Sequence, residues 1–159
     1  MKYVKLIGII GLMAFSVIAG FVGYQYTKAD FVTTDGTTYQ WQELEGNWVI
    51  INYFAPWCVP CLREMPELHE FDRALPANTK LFAINYDALS HSDLVAMLSA
   101  HKITLKVIEA NEDTLLPMAK PNYLPATFII GPDGRVRDTI MGEVTASSLA
   151  QRLAQLKAL

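Results

Sequence analysis

Two cysteines, Cys58 and Cys61, carry the only thiol groups in this chain of 159 residues, and two residues separate them. At this spacing on a helix, the second sulfur lies behind the first on the same face. When the outer sulfur reacts with a disulfide, the inner sulfur can attack the mixed disulfide and release the product. A structural disulfide is the weaker interpretation, because closing so short a loop stabilises a fold very little. The pair therefore indicates thiol–disulfide exchange.

A predicted strand and a predicted helix must position this pair. The run Trp48–Phe54 is rich in β-branched and aromatic residues, which predicts a buried strand. Behind the cysteines, apolar residues recur at helical spacing: Leu62, Met65, Leu68 and Phe71. Cys58 should then lie at a helix N-terminus, where unpaired N–H groups and the helix dipole favour an anion. Such a position lowers the pKa of a thiol from about 8.5 towards neutrality.

Two prolines should affect this helix differently. Pro60 is compatible with the first turn, where its missing N–H would have had no partner within the helix. Pro66 falls in the helix interior, where it removes a backbone hydrogen bond and should bend the helix.

Several motifs together carry a resemblance to a known family. The segment Phe54–Cys61 with its Trp57, the proline five residues after Cys61, and the later segment Leu124–Phe128 resemble the thioredoxin superfamily. More narrowly, Cys61–Pro66 is similar to the membrane-tethered, extracytoplasmic TlpA/ResA branch. The resemblance covers roughly residues 31 to 159. It implies an α/β, thioredoxin-like fold, with a central mixed β-sheet flanked by helices.

The resemblance also implies site residues. It makes Cys58 and Cys61 the catalytic pair, with Trp57 and Pro60 as active-site support. It further implies that Leu124–Pro125 is a cis peptide bond packed against the cysteines. There, the backbone of Leu124 would be available to pair with a substrate chain in the manner of a β-strand.

Asn52 and Glu64 are the remaining support residues. Asn52 stands six residues before Cys58, where the cytoplasmic thioredoxins that resemble this chain carry a buried aspartate that assists proton transfer. An amide cannot take up a proton at neutral pH. The TlpA/ResA resemblance suggests Glu64 as the acceptor for the proton of Cys61. The alternative is that Glu64 is an exposed acid early in a helix, favoured only by the helix dipole.

The N-terminal sequence predicts a chain of three parts: a cytoplasmic N-terminus over 1–5, a transmembrane signal anchor over 6–26, and the thioredoxin-like domain over 27–159. No charged residue occurs from Leu6 to Thr27, and about 20 apolar residues are enough to span a bilayer as a helix. Lys2 and Lys5 precede the span, which favours a cytoplasmic N-terminus.

We therefore expect a single-pass protein of the inner (cytoplasmic) membrane, with its domain facing the periplasm or another extracytoplasmic space. The alternative is a cleaved signal peptide, although its cleavage signals are poor. Either interpretation exports the domain to a compartment in which disulfides persist. No cysteine lies near the end of the span, so a lipoprotein anchor is not supported.

The rest of the chain predicts further elements. We expect, in order, a hairpin around Asp35–Gly36, a strand at Lys80–Tyr86, a helix capped by Ser90, a strand at Thr104–Ile108, a short helix from Asn111 to Met118, a hairpin of Ala126–Ile130 with Arg135–Met141, and a last helix capped by Thr145.

Other functional classes are less consistent with the composition. A net charge of -3 and a pI near 5.5 argue against nucleic acid as a partner. Structural zinc takes four ligands, but besides the cysteine pair only three scattered histidines remain: His69, His91 and His101. We therefore expect no metal and no cofactor other than a redox-active Cys58–Cys61 disulfide. A copper(I) carrier is an alternative, because two thiolates suit that ion, although Pro125 would hinder its access. A binding module with incidental cysteines is a further alternative.

The residues between the cysteines indicate the direction of electron flow. Val59–Pro60 places no cation beside the thiolate, and a less stabilised thiolate means a less oxidising couple. We therefore favour reduction or isomerisation of disulfides in exported proteins over disulfide formation, with electrons from a membrane thiol-reducing donor. Dedicated cytochrome c maturation thioredoxins carry a Gly-X-Pro-Glu-Thr segment, which this chain replaces with Leu124–Thr127. This difference argues against a dedicated role in cytochrome c maturation.

Overall fold

The structure is a computed structural model that describes residues 13, 15–18, 20 and 28–159. Within these residues, no helix is both long and apolar enough to cross a membrane. Most of the anchor predicted over 6–26, and all of the N-terminus predicted over 1–5, lie outside the described residues.

Residues 28–159 form seven strands and four helices. In chain order they are β1 (Phe31–Val32), β2 (Thr38–Tyr39), α1 (Trp41–Leu44), β3 (Trp48–Phe54), α2 (Val59–Arg73), β4 (Thr79–Asn85), α3 (His91–Ala100), β5 (Val107–Ile108), β6 (Ala126–Ile130), β7 (Val136–Met141) and α4 (Ala146–Lys157).

The central sheet is mixed and has the order β5-β4-β3-β6-β7. Strand β4 pairs in parallel with β3 and β5, whereas β6 pairs antiparallel with β3 and β7. The hairpin β1–β2 forms a separate two-stranded sheet. This arrangement agrees with the expected α/β fold, a mixed sheet flanked by helices.

Both faces of the sheet are covered, which explains why β3 is apolar at every position except Asn52. On one face, Ile50 and Phe54 pack with buried residues of α2, α3 and α4, such as Leu68. On the other face, Val49 and Ile51 pack with residues of the N-terminal hairpin, such as Phe31. Because strand side chains alternate between faces, Asn52 lies on the same face as Ile50 and Phe54, the one that α2 covers.

Most of the hairpins and helix caps predicted from short sequence patterns are confirmed. The β1–β2 hairpin and the β6–β7 hairpin are both present and antiparallel. Ser90 caps α3 by accepting a hydrogen bond from the amide of Asp93, and Thr145 caps α4 by accepting one from the amide of Ser148. Pro66 lies inside α2, and the helix continues past it.

Of two predictions about the segment after α3, one is confirmed only in part and the other was wrong. The strand predicted over residues 104–108 is only Val107–Ile108, and residues 111–118 are not helical. In the latter segment, the side-chain oxygen of Asn111 accepts from the backbone amide of Asp113, and the Thr114 hydroxyl accepts from the backbone amide of Asn111. Such side-chain bonds to nearby backbone compete with helix formation. The amide of Leu115 also donates to the carbonyl of Asp30, which draws the segment onto the N-terminal hairpin.

Candidate active site

The two cysteines lie where strand β3 gives way to helix α2, as the sequence predicts. Cys58 is the N-cap residue of α2, and its sulfur accepts a hydrogen bond from the amide of Cys61 at 3.3 Å. The pair forms a disulfide with an S–S distance of 2.09 Å. Cys58 keeps 5% of its surface exposed, whereas Cys61 keeps none. Of the two sulfurs, a substrate can therefore approach that of Cys58 more readily.

The start of α2 provides a favourable site for negative charge. The amide of Cys58 donates to the carbonyl of Ala55, which turns the chain from β3 into the helix. Pro60 occupies the first turn, and that turn contains no acidic residue. The positive end of the helix dipole is therefore not neutralised locally, and it favours a thiolate on Cys58 after reduction.

Trp57 projects beside the cysteines, with 61% of its surface exposed. Its indole N–H donates to a carboxylate oxygen of Asp87 at 2.7 Å, and its ring meets the ring of Tyr86 edge-on at 6.0 Å. The ammonium group of Lys120 lies 3.6 Å from the centre of the Tyr86 ring. The sequence analysis did not predict these contacts of Trp57 with Asp87 and Tyr86, or that of Tyr86 with Lys120.

The peptide bond Leu124–Pro125 is cis, as predicted. Leu124 and Tyr123 line a groove of about 490 Å³ together with Trp57 and Cys58. The carbonyl of Pro125 accepts from the amide of Gly142, so the loop is tied to the end of β7. Within residues 28–159, the amide and carbonyl of Leu124 form no backbone hydrogen bond. They therefore remain available to an extended chain placed in the groove.

Glu64 is buried, with 1% of its surface exposed, so the interpretation as an exposed acid was wrong. One carboxylate oxygen accepts from the amide nitrogen of the Asn52 side chain at 2.8 Å, and the other accepts from the backbone N–H of Val144 at 2.8 Å. Burial raises the pKa of Glu64 from 4.5 to about 7, against the lowering effect of these two hydrogen bonds. The nearby Glu143 carboxylate adds to the rise in pKa.

Asn52 joins Glu64 to the centre of the sheet. It pairs with Thr127 across β3 and β6, and its side-chain nitrogen donates to the Thr127 hydroxyl at 3.0 Å as well as to Glu64. Within the part of the chain that the structure describes, the side-chain oxygen of Asn52 has no hydrogen-bond partner. Because the amide does not titrate, the buried group here that can take up a proton is Glu64.

Two of the three histidines form contacts away from the cysteine pair. The imidazole of His69 accepts from the amide of Thr104, and that of His91 pairs with Glu109. Across the described residues, no cluster of three or more His, Cys, Asp or Glu side chains could hold a metal ion.

Comparisons of the sequence relate this chain to known proteins. A model of the AhpC/TSA family matches residues 22–139. The thiol-disulfide oxidoreductase ResA of Geobacillus thermodenitrificans is 25% identical over 166 residues, covering 99% of this chain and 95% of that protein. The thioredoxin-like protein YneN of Bacillus subtilis is 23% identical, covering 82% of this chain and 78% of that protein.

Comparisons of the structure identify the same fold. StoA from Bacillus subtilis has a TM-score of 0.65 at 22% identity, and the match covers 76% of this chain and 92% of StoA. The exposed lipoprotein thioredoxin Etrx1 of Streptococcus pneumoniae has a TM-score of 0.70 at 20% identity, covering 79% of this chain and 96% of Etrx1. At these identities, the similarity establishes a thioredoxin-like fold and no more.

Proposed function

Because this chain belongs to the AhpC/TSA family and is a thiol–disulfide oxidoreductase with a thioredoxin-like fold, we propose that it reduces or isomerises disulfides in exported proteins. Cys58 is the attacking sulfur and Cys61 the resolving sulfur. The observation that carries the proposal is the Cys58–Cys61 disulfide at the N-terminus of α2, with Cys58 lining the groove and Cys61 buried behind it.

The reaction proceeds by two exchanges. In the reduced protein, the Cys58 thiolate attacks one sulfur of a substrate disulfide, forming a mixed disulfide and releasing the other sulfur as a thiolate. The Cys61 thiolate then attacks the sulfur of Cys58, which closes the Cys58–Cys61 disulfide and releases the second substrate sulfur. The substrate gains two electrons and the protein loses two. A membrane thiol-reducing donor restores the reduced pair.

Glu64 accepts the proton that Cys61 must lose before it can attack. Cys61 and Glu64 are three residues apart on α2 and are both buried, which supports the assignment because residues at this spacing are neighbours on a helix. A pKa of about 7 means that both protonation states of Glu64 are populated near neutral pH. General bases are most effective when their pKa lies near the working pH.

The substrate is an extended polypeptide segment. The free backbone groups of Leu124 support strand-like pairing, and the groove beside Cys58 is lined by exposed aromatic side chains, including Trp57 and Tyr123. Main-chain pairing of this kind contributes affinity without requiring one particular substrate sequence.

The domain works outside the cytoplasm, held to the lipid bilayer by the anchor proposed over residues 6–26. Its support is the uncharged run from Leu6 to Thr27 after two lysines. The structurally similar Etrx1 is described as an exposed lipoprotein. The direction of electron flow rests on Val59–Pro60, which supplies no cation to stabilise the thiolate.

Trapping with Cys61→Ser tests this proposal. In cells that express the full chain, this variant should accumulate mixed disulfides between Cys58 and exported proteins, which non-reducing electrophoresis and mass spectrometry would identify. The double variant Cys58→Ser with Cys61→Ser is the matched control and should trap none. Equal trapping by both variants, or failure of the parent to reduce insulin, would refute the proposed activity.

A further inference from the structure

The turn between β7 and α4 closes over Glu64 with two consecutive residues. The amide of Val144 donates to the Glu64 carboxylate at 2.8 Å, and Glu143 forms an ion pair with Arg63. Thus two neighbouring residues of α2 contact two neighbouring residues of a turn about 80 positions away in the chain. One contact is buried and the other is exposed.

The exposed contact brings two opposite charges next to the buried acid. The side chains of Arg63 and Glu143 are 63% and 40% exposed, and ion pairs in such positions contribute little to stability. What the two charges do change is the pKa of Glu64. The Glu143 carboxylate raises the pKa of Glu64 by repulsion, and the Arg63 guanidinium holds the pKa of Glu143 below its usual value, so that Glu143 stays ionised.

We propose that Arg63 and Glu143 are positioning residues of the redox site: by pairing with each other, they hold the Val144 amide on Glu64 and fix the net charge beside it. This inference rests on the proposed role of Glu64 as the proton acceptor of Cys61. Arg63 partly compensates the charge of Glu143, so the pair adjusts the pH at which Glu64 can accept a proton.

Other groups also lie near Glu64 in the part of the chain that the structure describes. Along α2, residues three positions away are neighbours on the helix, and these are Cys61 and Glu67. The Glu67 carboxylate accepts from the amide of Ala146 at the start of α4. From the sheet, the nearby groups are the neutral side chains of Asn52 and Thr127. Glu67 is the acidic side chain among these groups, and none of the variants proposed below changes it.

The two members of the pair should have opposite effects. Arg63→Met leaves the Glu143 charge uncompensated and frees the turn that carries Val144, and both changes should raise the pKa of Glu64. Glu143→Gln removes the repelling charge, while its amide oxygen can still accept from Arg63, so the pKa of Glu64 should fall. A pair that acted only as a mechanical tether would raise the pKa of Glu64 in Arg63→Met, which cannot bond Glu143, and would not lower it in Glu143→Gln.

An NMR titration of the Glu64 side-chain carboxyl carbon measures this directly in the oxidised full chain in detergent micelles. We expect the midpoint to rise in Arg63→Met and to fall in Glu143→Gln, each by about half to one pH unit. Arg63→Lys should return the midpoint towards that of the parent. Arg152→Met breaks another surface ion pair, with Asp138, and is the matched control that should leave Glu64 unchanged.

A rise or no change of the midpoint in Glu143→Gln, or the lack of a rise in Arg63→Met, would overturn the inference. The titration does not depend on turnover, so it is separate from the proposed activity. If Glu64→Gln left the pH profile of peptide-disulfide reduction unchanged, the role of Glu64 as proton acceptor would fail, whatever the titration showed. With that role intact, the pH profile should move in the same direction as the titration midpoint in each variant.

Discussion

Replacing Glu64 with glutamine should remove a pH dependence of stability that the parent protein owes to this one side chain. Burial raises the pKa of Glu64 from 4.5 to about 7. Between these values the native state keeps a proton on Glu64 that the unfolded state has released. The native state then binds more protons than the unfolded state, so the free energy of unfolding decreases as the pH rises through this window.

The magnitude follows from the two pKa values. Each pH unit of difference corresponds to about 1.4 kcal/mol, so the rise from 4.5 to about 7 costs the native state on the order of 3 kcal/mol once Glu64 is ionised. Glutamine bears no charge at either pH. The glutamine NH2 group would, however, face the N–H donor of either Asn52 or Val144, and the two donors cannot bond each other. This mismatch should lower the free energy of unfolding by about 1–3 kcal/mol at any pH.

Urea unfolding of the oxidised protein at pH 4.5 and pH 8 tests this reasoning. Glu64→Gln should be less stable than the parent at pH 4.5, and the difference should shrink or reverse at pH 8, a relative change of about 3 kcal/mol. Glu70→Gln, which changes an exposed acid on the same helix, is the control and should follow the parent at both values. If the free energy of unfolding of Glu64→Gln also matched that of the parent at both pH values, the raised pKa of Glu64 would be refuted.

Three further predictions follow from the same site. Cys58→Ser should abolish reduction of insulin, whereas Cys61→Ser should accumulate a mixed disulfide on Cys58 that mass spectrometry detects; activity of both variants equal to that of the parent would contradict the assigned roles. Asn52→Leu should raise the pKa of Glu64, because it removes a hydrogen bond that favours the carboxylate; a lower midpoint in the carboxyl titration would count against the network. The reduction potential, measured against glutathione, should lie well below about -120 mV, the range of strong oxidants; a value that high would make disulfide formation the favoured direction.

Features encoded by neighbouring residues could be predicted from the sequence. The β-branched run of β3 and the helical spacing after Cys58 placed the cysteine pair between a strand and a helix, and the structure has it there. Ser90 and Thr145 cap their helices because a hydroxyl at the N-cap bonds an amide three residues later, an interaction complete within one turn. The cis bond at Leu124–Pro125 came from family resemblance, since spacing alone does not specify it.

Features that depend on distant contacts required the tertiary structure. Residues 111–118 have a composition compatible with a helix, but local side-chain bonds and the bond from Leu115 to Asp30 hold them in another conformation. The burial of Glu64 is the clearest case, because the amide that covers it belongs to Val144, 80 residues further along the chain. Helical spacing tells which face of α2 a side chain occupies, but not what packs against that face. The sequence by itself therefore located the reactive sulfurs, whereas tertiary packing decided that Glu64 is a buried acid with a pKa near neutrality.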